Sequence, residues 1–251
     1  MKVIHTVQDW IALRHELGSE RSIGYVPTTG ALHQGHQSLL SRSRHENDIS
    51  ILSIFINRSQ FTEEEYLKYP RPLKNDMALA IEAKVDYLFM PEYNDFYPEN
   101  NYQVSETVLS HEMEGKHEPG VFQRTLTNVL KLLLLIRPDK AYFGEKDYQQ
   151  FLLIHGMAKA FYLNTQIILC ESLRDANGLP LSSRNEFFST EEKLLAQRFA
   201  EIFQNTALST TEVVAQLKEA GIATEYMLDK QTRRFCAVNI GNIRIIDNRN
   251  L

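Results

Sequence analysis

Cysteine is scarce in this chain of 251 residues: Cys170 and Cys236 are the only two. They lie far apart and outside any CxxC spacing, which argues against a disulfide framework and a cysteine-built zinc site. They read as buried thiols in a reducing compartment. Long apolar runs are missing as well. The most apolar stretch, Leu132 to Ile136, is far short of the roughly 18 residues that a spanning helix needs. Met1 to Glu20 carries charges throughout and has no apolar core of a signal peptide. The expected location is therefore the cytoplasm, with no membrane partner. Neither sign of charge dominates, since 27 Lys+Arg against 32 Asp+Glu leaves −5. Such mild acidity disfavours a general nucleic-acid binder and leaves room for a local basic pocket. The sequence also lacks an internal repeat, a low-complexity linker, a Walker A loop and a GxGxxG fingerprint. No Ser-His-Asp arrangement and no cysteine nucleophile stand out.

What is present is an ordinary globular composition, 43% hydrophobic and 24% charged. A chain of this length buries about 70–75% of its unfolded surface, so it needs no staple. Strand-like and helix-like segments alternate. Ser22–Pro27, Ile49–Ile56, Tyr87–Met90, Ala141–Phe143 and Gln166–Cys170 read as strands. His36–Arg44, Asn75–Ala83, Phe122–Ile136 and Tyr148–Ala160 read as helices. This order predicts an α/β fold, a Rossmann-like parallel sheet with helices on both faces. Ligands of such sheets sit at the carboxyl ends of the strands, near a topological switch point. After about Ser189 the pattern changes. Two amphipathic helices, Thr190–Gln204 and Thr211–Ala220, precede strand candidates Ala223–Leu228, Phe235–Ile240 and Ile243–Ile246. That is a small α+β domain.

Four segments carry chemistry. In Pro27-Thr-Thr-Gly-Ala-Leu-His33-Gln-Gly35-His36 a strand ends, a glycine turn follows and a helix begins. A helix N-terminus suits phosphate, and two histidines three apart can face one anion. They lack a nearby third ligand for a metal. Asn57-Arg58-Ser59-Gln60 follows the second strong strand, and neutral amides there can read a carboxylate or hydroxyl. Gly144-Glu145-Lys146-Asp147 again joins strand to helix. Lys146 is a compact charge suited to phosphate, and Asp147 can cap the helix or hold a ribose hydroxyl. Leu181-Ser182-Ser183-Arg184 offers two hydroxyls and a guanidinium for a polyphosphate. Each segment taken alone also reads as ordinary turn or capping chemistry.

Together these segments resemble the pantothenate synthetase (pantoate–β-alanine ligase) family of the HxGH nucleotidyltransferase superfamily. The match runs in order through PTTGALHQGHQSL, SIFINRSQF, YPRP, FGEKDYQQ, LRDANGLPLSSRN and the terminal IRIIDN. The resemblance implies a Rossmann-like ATP- and pantoate-binding domain over residues 1–172, a C-terminal lid domain over 173–251, and a homodimer. It implies that ATP, with Mg²⁺, and pantoate give pantoyl adenylate and pyrophosphate, after which β-alanine attacks to give pantothenate and AMP. By motif, Thr29, Gly30, Ala31, Leu32, His33, Gln34, Gly35 and His36 would form the first ATP segment, with His36 as catalytic acid. Gly144, Glu145, Lys146 and Asp147 would form the second. Leu173 would touch adenine, and Leu181, Ser182, Ser183 and Arg184 would close over the nucleotide. Gln60, Gln150 and Asn57 fall to the substrates. His33, His36, Lys146 and Arg184 would together offset the negative charge of the transition state.

The chain departs from the family pattern at several places. Thr29 stands for a usual Met, Arg58 for Pro, Glu118 for Arg, Val121 for His, Arg124 for Gly, and Asn177 for Asp. Thr125 and Asn128 replace apolar residues, and the C-terminal region reads as abbreviated. Three other readings therefore stay open. They are a ligase with drifted acid or amine specificity, an adenylyltransferase acting on a phosphorylated acceptor, and a nucleotide-binding homologue without turnover.

Overall fold

Runs rich in β-branched residues, each followed by an amphipathic stretch, build a parallel sheet. The computed structural model describes residues 1–60, 63–99 and 101–251; the side chains of Gln60, Glu65 and Glu186 lie outside the description. In chain order the elements are β1 (Lys2–Ile4), α1 (Val7–Glu16), β2 (Ile23–Thr28), α2 (Gln34–Glu46), β3 (Ile49–Ile54) and α3 (Glu63–Lys68). There follow α4 (Leu73–Glu82), β4 (Tyr87–Phe89), α5 (Tyr93–Phe96), α6 (Met113–His117), α7 (Val121–Ile136), β5 (Lys140–Gly144), α8 (Tyr148–Ala160) and β6 (Gln166–Cys170). Last come α9 (Thr190–Gln204), α10 (Thr210–Glu219), β7 (Ala223–Lys230), β8 (Arg233–Ile240) and β9 (Ile243–Asn250).

The first six strands form one sheet in the order β1-β4-β3-β2-β5-β6, with every pairing parallel. Alternation along each strand sorts its side chains to opposite faces. Ile23, Tyr25, Ile49, Ile51, Phe89 and Phe143 pack with α1, α7 and α8. Val26, Leu52, Leu88 and Tyr142 pack with Leu39 and Leu40 of α2 and Ala80 of α4. Helices thus cover both faces, as the alternating sequence predicts. No described helix is long and apolar enough to cross a membrane. Cys170 and Cys236 are buried thiols.

Five elements, β1, α1 and the short helices α3, α5 and α6, escape the hydrophobic pattern. The apolar stripe of α1 is narrow, with only Trp10 and Leu13 buried. Its polar atoms matter as much. The Trp10 indole donates to the Leu135 carbonyl at 3.0 Å, and Arg14 Nε donates to the Ile136 carbonyl at 3.0 Å. Both satisfy carbonyls at the C-terminal end of α7, which the helix itself leaves open.

The chain divides into two compact units, Met1–Gly144 with Gln149–Cys170, and Glu145–Tyr148 with Glu171–Leu251. The second is built on the antiparallel sheet β7-β8-β9, whose core joins Phe199, Phe203, Leu217 and Val238. Its helices α9 and α10 each open with a reciprocal capping box, Ser189 with Glu192 and Ser209 with Glu212. Strand β9 runs to Asn250 rather than stopping at Ile246, because Asp247, Asn248 and Arg249 are buried polar residues that interrupt the apolar run.

The C-terminal end of α2 is tied to the sheet through one carboxylate. Glu46 accepts from Arg42 Nε at 2.8 Å, Lys140 Nζ at 3.0 Å and the Tyr142 hydroxyl at 3.0 Å. The Arg42 bond, followed by those from Lys140 and Tyr142, holds the carboxyl down at about 2, against an ordinary value of 4.5. The folded carboxyl titrates below the unfolded one. Its contribution is therefore complete above pH about 4.5 and disappears as the pH falls through about 2. Glu46→Gln should lower stability by about 1 kcal/mol at pH 7, a partly exposed cluster being screened. Urea unfolding at pH 7 and pH 3 checks this: the difference between wild type and variant should shrink at the lower pH.

Candidate active site

Strand β2 pairs with β3 on one side and with β5 on the other. The chain proceeds outward from β2 through β3 to β4 in one direction and from β5 to β6 in the other, so the strand order reverses between β2 and β5. That switch point opens a crevice at the carboxyl edge. The loop after β2 carries Thr29–His36, and β5 ends beside it at Gly144.

The turn between β2 and α2 is held from beneath. Gly30 and Ala31 both adopt positive φ, 82° and 51°, a conformation that costs a residue with a Cβ. A single buried carboxylate fixes it. Asp76, near the start of α4, accepts from Ala31 N–H at 2.9 Å and Leu32 N–H at 2.7 Å. Thr29, where the family more often has Met, bonds through Oγ1 to the Tyr69 hydroxyl at 2.6 Å.

The two histidines then close the helix start on themselves. His33 is the N-cap of α2, and its Nδ1 accepts from Gly35 N–H at 3.1 Å. His36 Nδ1 accepts from His33 N–H at 3.3 Å. An Nδ1 that accepts places the proton of a neutral ring on Nε2. This reciprocal box therefore assigns Nε2–H to both imidazoles, whose centroids lie 4.1 Å apart. A Cβ at position 35 would meet His33 Cε1 at 2.7 Å, so a side chain there would displace the capping ring. The spacing of HxGH follows from this geometry. The first histidine caps, the glycine clears its ring, and the second reaches back from the first turn. The backbone N–H groups of Gly30, Ala31, Leu32, His33 and Gly35 are thus engaged, by Thr28, Asp76 and the two histidines. Gln34 is exposed.

Beyond β3, Asn57 is completely buried. Its Oδ1 accepts from Ser59 N–H and Oγ, and its Nδ2 lies 3.4 Å from the Tyr97 hydroxyl. That hydroxyl lies 3.5 Å from Asn128 Oδ1 on α7. Asn128 and Thr125 are both buried. Gln60 ends a 3-10 turn, Arg58–Gln60, and its side chain lies outside the description. Gln150 on α8 is half-buried. Its neighbour Gln149 is buried and donates to the Leu109 and Glu112 carbonyls while accepting from Glu114 N–H.

The remaining candidates lie in the second unit. Glu145 pairs with Arg233 at 2.8 Å. Lys146 is half-buried and Asp147 exposed. Leu173 accepts through its carbonyl from Leu181 N–H at 2.9 Å, and Arg174 bridges Pro180, so residues 173–181 fold back as a short ribbon. The reversal is made by Asp175, which accepts from Asn177 and Leu179 N–H. Ser182 caps the following 3-10 turn, while Ser183 is half-buried and Arg184 exposed. No group of three or more His, Cys, Asp or Glu able to hold a metal occurs among the described residues.

A family model described as pantoate-β-alanine ligase matches residues 2–250. The chain belongs to the pantoate-β-alanine ligase family. A pantothenate synthetase of Coxiella burnetii is 45% identical over 249 residues, spanning 98% of this chain and 96% of that protein. One from Legionella pneumophila is 42% identical, spanning 99% of each. The crystal structure of a pantoate-β-alanine ligase from Francisella tularensis, solved with β-γ ATP and β-alanine, superposes with a TM-score of 0.94 at 37% identity. It covers 100% of this chain and 97% of that one. A pantothenate synthetase from Thermus thermophilus gives 0.89 at 33% identity, covering 100% and 99%. The C-terminal region that reads as abbreviated is thus of the length these family members share.

Motif reasoning within this family passed over the residues that support the site rather than form it: Asp76, Gln149 and Tyr69. Asp76 had one usable signal, an acidic residue in the first turn of a helix, but nothing local joins it to a loop more than forty residues earlier. Asp76→Ala should leave two backbone N–H groups without acceptors and destabilise the fold by about 2–4 kcal/mol. Asp76→Asn should cost less, because one acceptor survives. Denaturant midpoints of the two variants check the ordering; equal and small losses would remove Asp76 from this role.

Proposed function

We infer that this protein joins pantoate to β-alanine at the expense of ATP, through a pantoyl adenylate. The observation that carries the reading is the His33–His36 pair. It sits at the N-terminus of α2, on the carboxyl edge at the switch point, in a chain that matches the ligase family from end to end. In the first step a pantoate carboxylate oxygen attacks the α-phosphorus of ATP, the bond to the β-phosphate oxygen breaks, and pyrophosphate leaves. In the second the β-alanine amine attacks the acyl carbon, loses a proton, and displaces AMP.

Each residue has a task that its chemistry fits. The Nε2–H groups of His33 and His36 donate to phosphate oxygens as charge builds during attack, supported by the positive end of α2. With their own N–H groups engaged, Gly30 to His33 and Gly35 shape the turn rather than donate from the backbone. Lys146 and Arg184 supply positive charge to the phosphates, with Ser182 and Ser183 as hydroxyl donors. Asp147 faces ribose and Leu173 adenine. Gln60 and Gln150 read pantoate, and Asn57 acts by holding the Ser59–Gln60 turn. Mg²⁺ would travel with ATP, held by phosphate oxygens and water, which suits a chain whose described residues form no carboxylate cage. The homodimer implied by the family resemblance, and the cytoplasmic location expected from the sequence, belong to the same reading.

A specific observation favours a second reading of the acid. Asn128 and Thr125 place buried polar atoms on α7, where the family resemblance implies an apolar wall. A more polar hydroxy acid would suit them.

One assay addresses both readings. The wild-type protein with ATP, Mg²⁺, pantoate and β-alanine should release AMP and pantothenate in equal amounts. His36→Ala should lose about 10²–10³ in rate with an unchanged circular dichroism spectrum. No turnover with pantoate, but pyrophosphate–ATP exchange with a more polar hydroxy acid, would favour the second reading. No exchange with any acid would sink both.

A further inference from the structure

Among the buried polar residues at the end of β9, Asp247 and Asn248 are 2% and 3% exposed. Polar groups in such a place are costly unless they are bonded, and both are fully occupied. Their partners are the two segments of the second unit assigned above to the nucleotide. Asn248 Nδ2 donates to the carbonyls of Glu145 at 2.8 Å and Lys146 at 2.9 Å. Its Oδ1 accepts from Arg233. Arg233 also pairs with Glu145 at 2.8 Å, and its guanidinium lies 4.0 Å from the Tyr148 ring centroid. The whole Glu145–Tyr148 turn is thereby clasped by β8 and β9.

Asp247 reaches the other segment. It accepts from Arg174 in a two-pronged pair, at 2.7 and 2.9 Å. Arg174 continues to the Gly178 carbonyl at 2.9 Å and the Asn248 carbonyl at 3.2 Å. It thus locks the base of the ribbon that runs from Leu173 to Leu181. Burial pushes the Asp247 carboxyl up, and the Arg174 guanidinium pulls it back down.

We propose that Asp247 and Asn248 are positioning residues for the nucleotide. Asn248 sets the backbone that carries Lys146. Asp247, acting through Arg174, sets the ribbon that carries Leu173 and Leu181–Arg184. Two adjacent residues on one strand thus fix the spacing between the phosphate-binding lysine and the segment that closes over ATP. This inference rests on the ligase reading for its nucleotide, yet it concerns ATP binding and can be tested apart from turnover.

Asn248→Asp keeps the size of the side chain and the oxygen that Arg233 reaches. It replaces the donor to the Glu145 and Lys146 carbonyls with a second oxygen. The loss of two hydrogen bonds should weaken ATP binding, read by calorimetry on the full chain, by about tenfold or more. KM for ATP should rise in step, while KM for pantoate and β-alanine should move by less than about twofold. A lower thermal midpoint with unchanged ATP affinity would make Asn248 a stability residue only and overturn the proposal. Should Asn248→Asp fail to fold, Arg174→Lys serves in its place. It keeps a charge beside Asp247, loses the two-pronged geometry, and should show the same ATP-selective loss. Unchanged ATP affinity in that variant would equally overturn the proposal. A wild-type protein that binds ATP but makes no pantothenate would sink the ligase reading, while the affinities of the variants would still decide the positioning role. A wild-type protein that binds no ATP would sink both.

Discussion

The constraint on which the rest depends is the placement of β2 between β3 and β5. Both pairings are parallel, so the loops that follow these strands leave the sheet on one edge. Because the strand order reverses beside β2, the loops after β2 and β5 diverge and leave room between them. The histidine turn and the Gly144 exit flank that room for topological reasons alone. The helix that follows β2 adds its positive end at the same place.

A second constraint is that buried backbone donors and acceptors need partners. Several turns of the fold are irregular, and regular ladders cannot serve them. Side chains from distant elements do so instead. Asp76 takes the Ala31 and Leu32 N–H groups, Gln149 serves Leu109, Glu112 and Glu114, and Asn248 takes the Glu145 and Lys146 carbonyls. Each is a polar side chain buried because its hydrogen bonds are made.

The departures from the family pattern have unequal structural grounds. Thr29 gains a hydroxyl partner in Tyr69. Arg58 pairs with Glu63 at the exposed start of α3. Asn128 lies at the end of a chain of long contacts from Asn57 through Tyr97. Nothing in the structure explains Glu118, which is exposed.

The sequence by itself determined the alternation of strands and helices, the two-faced parallel sheet, the small antiparallel sheet, and the motifs at strand ends. These are local properties, written in hydrophobic period and turn chemistry. It left β1, α1 and the short helices α3, α5 and α6 unread; the stripe of α1 is narrow, and its hold on α7 comes from two donors as much as from the buried Trp10 and Leu13. It also truncated β9 at Ile246, since the buried residues beyond are polar. Only the tertiary structure decided what those polar residues do. Asp76, Gln149, Asp247 and Asn248 look like surface residues in a linear reading. They become supports once folding brings their partners across tens of residues of chain, because the value of a buried polar group is set by the atoms it meets and not by its neighbours in sequence.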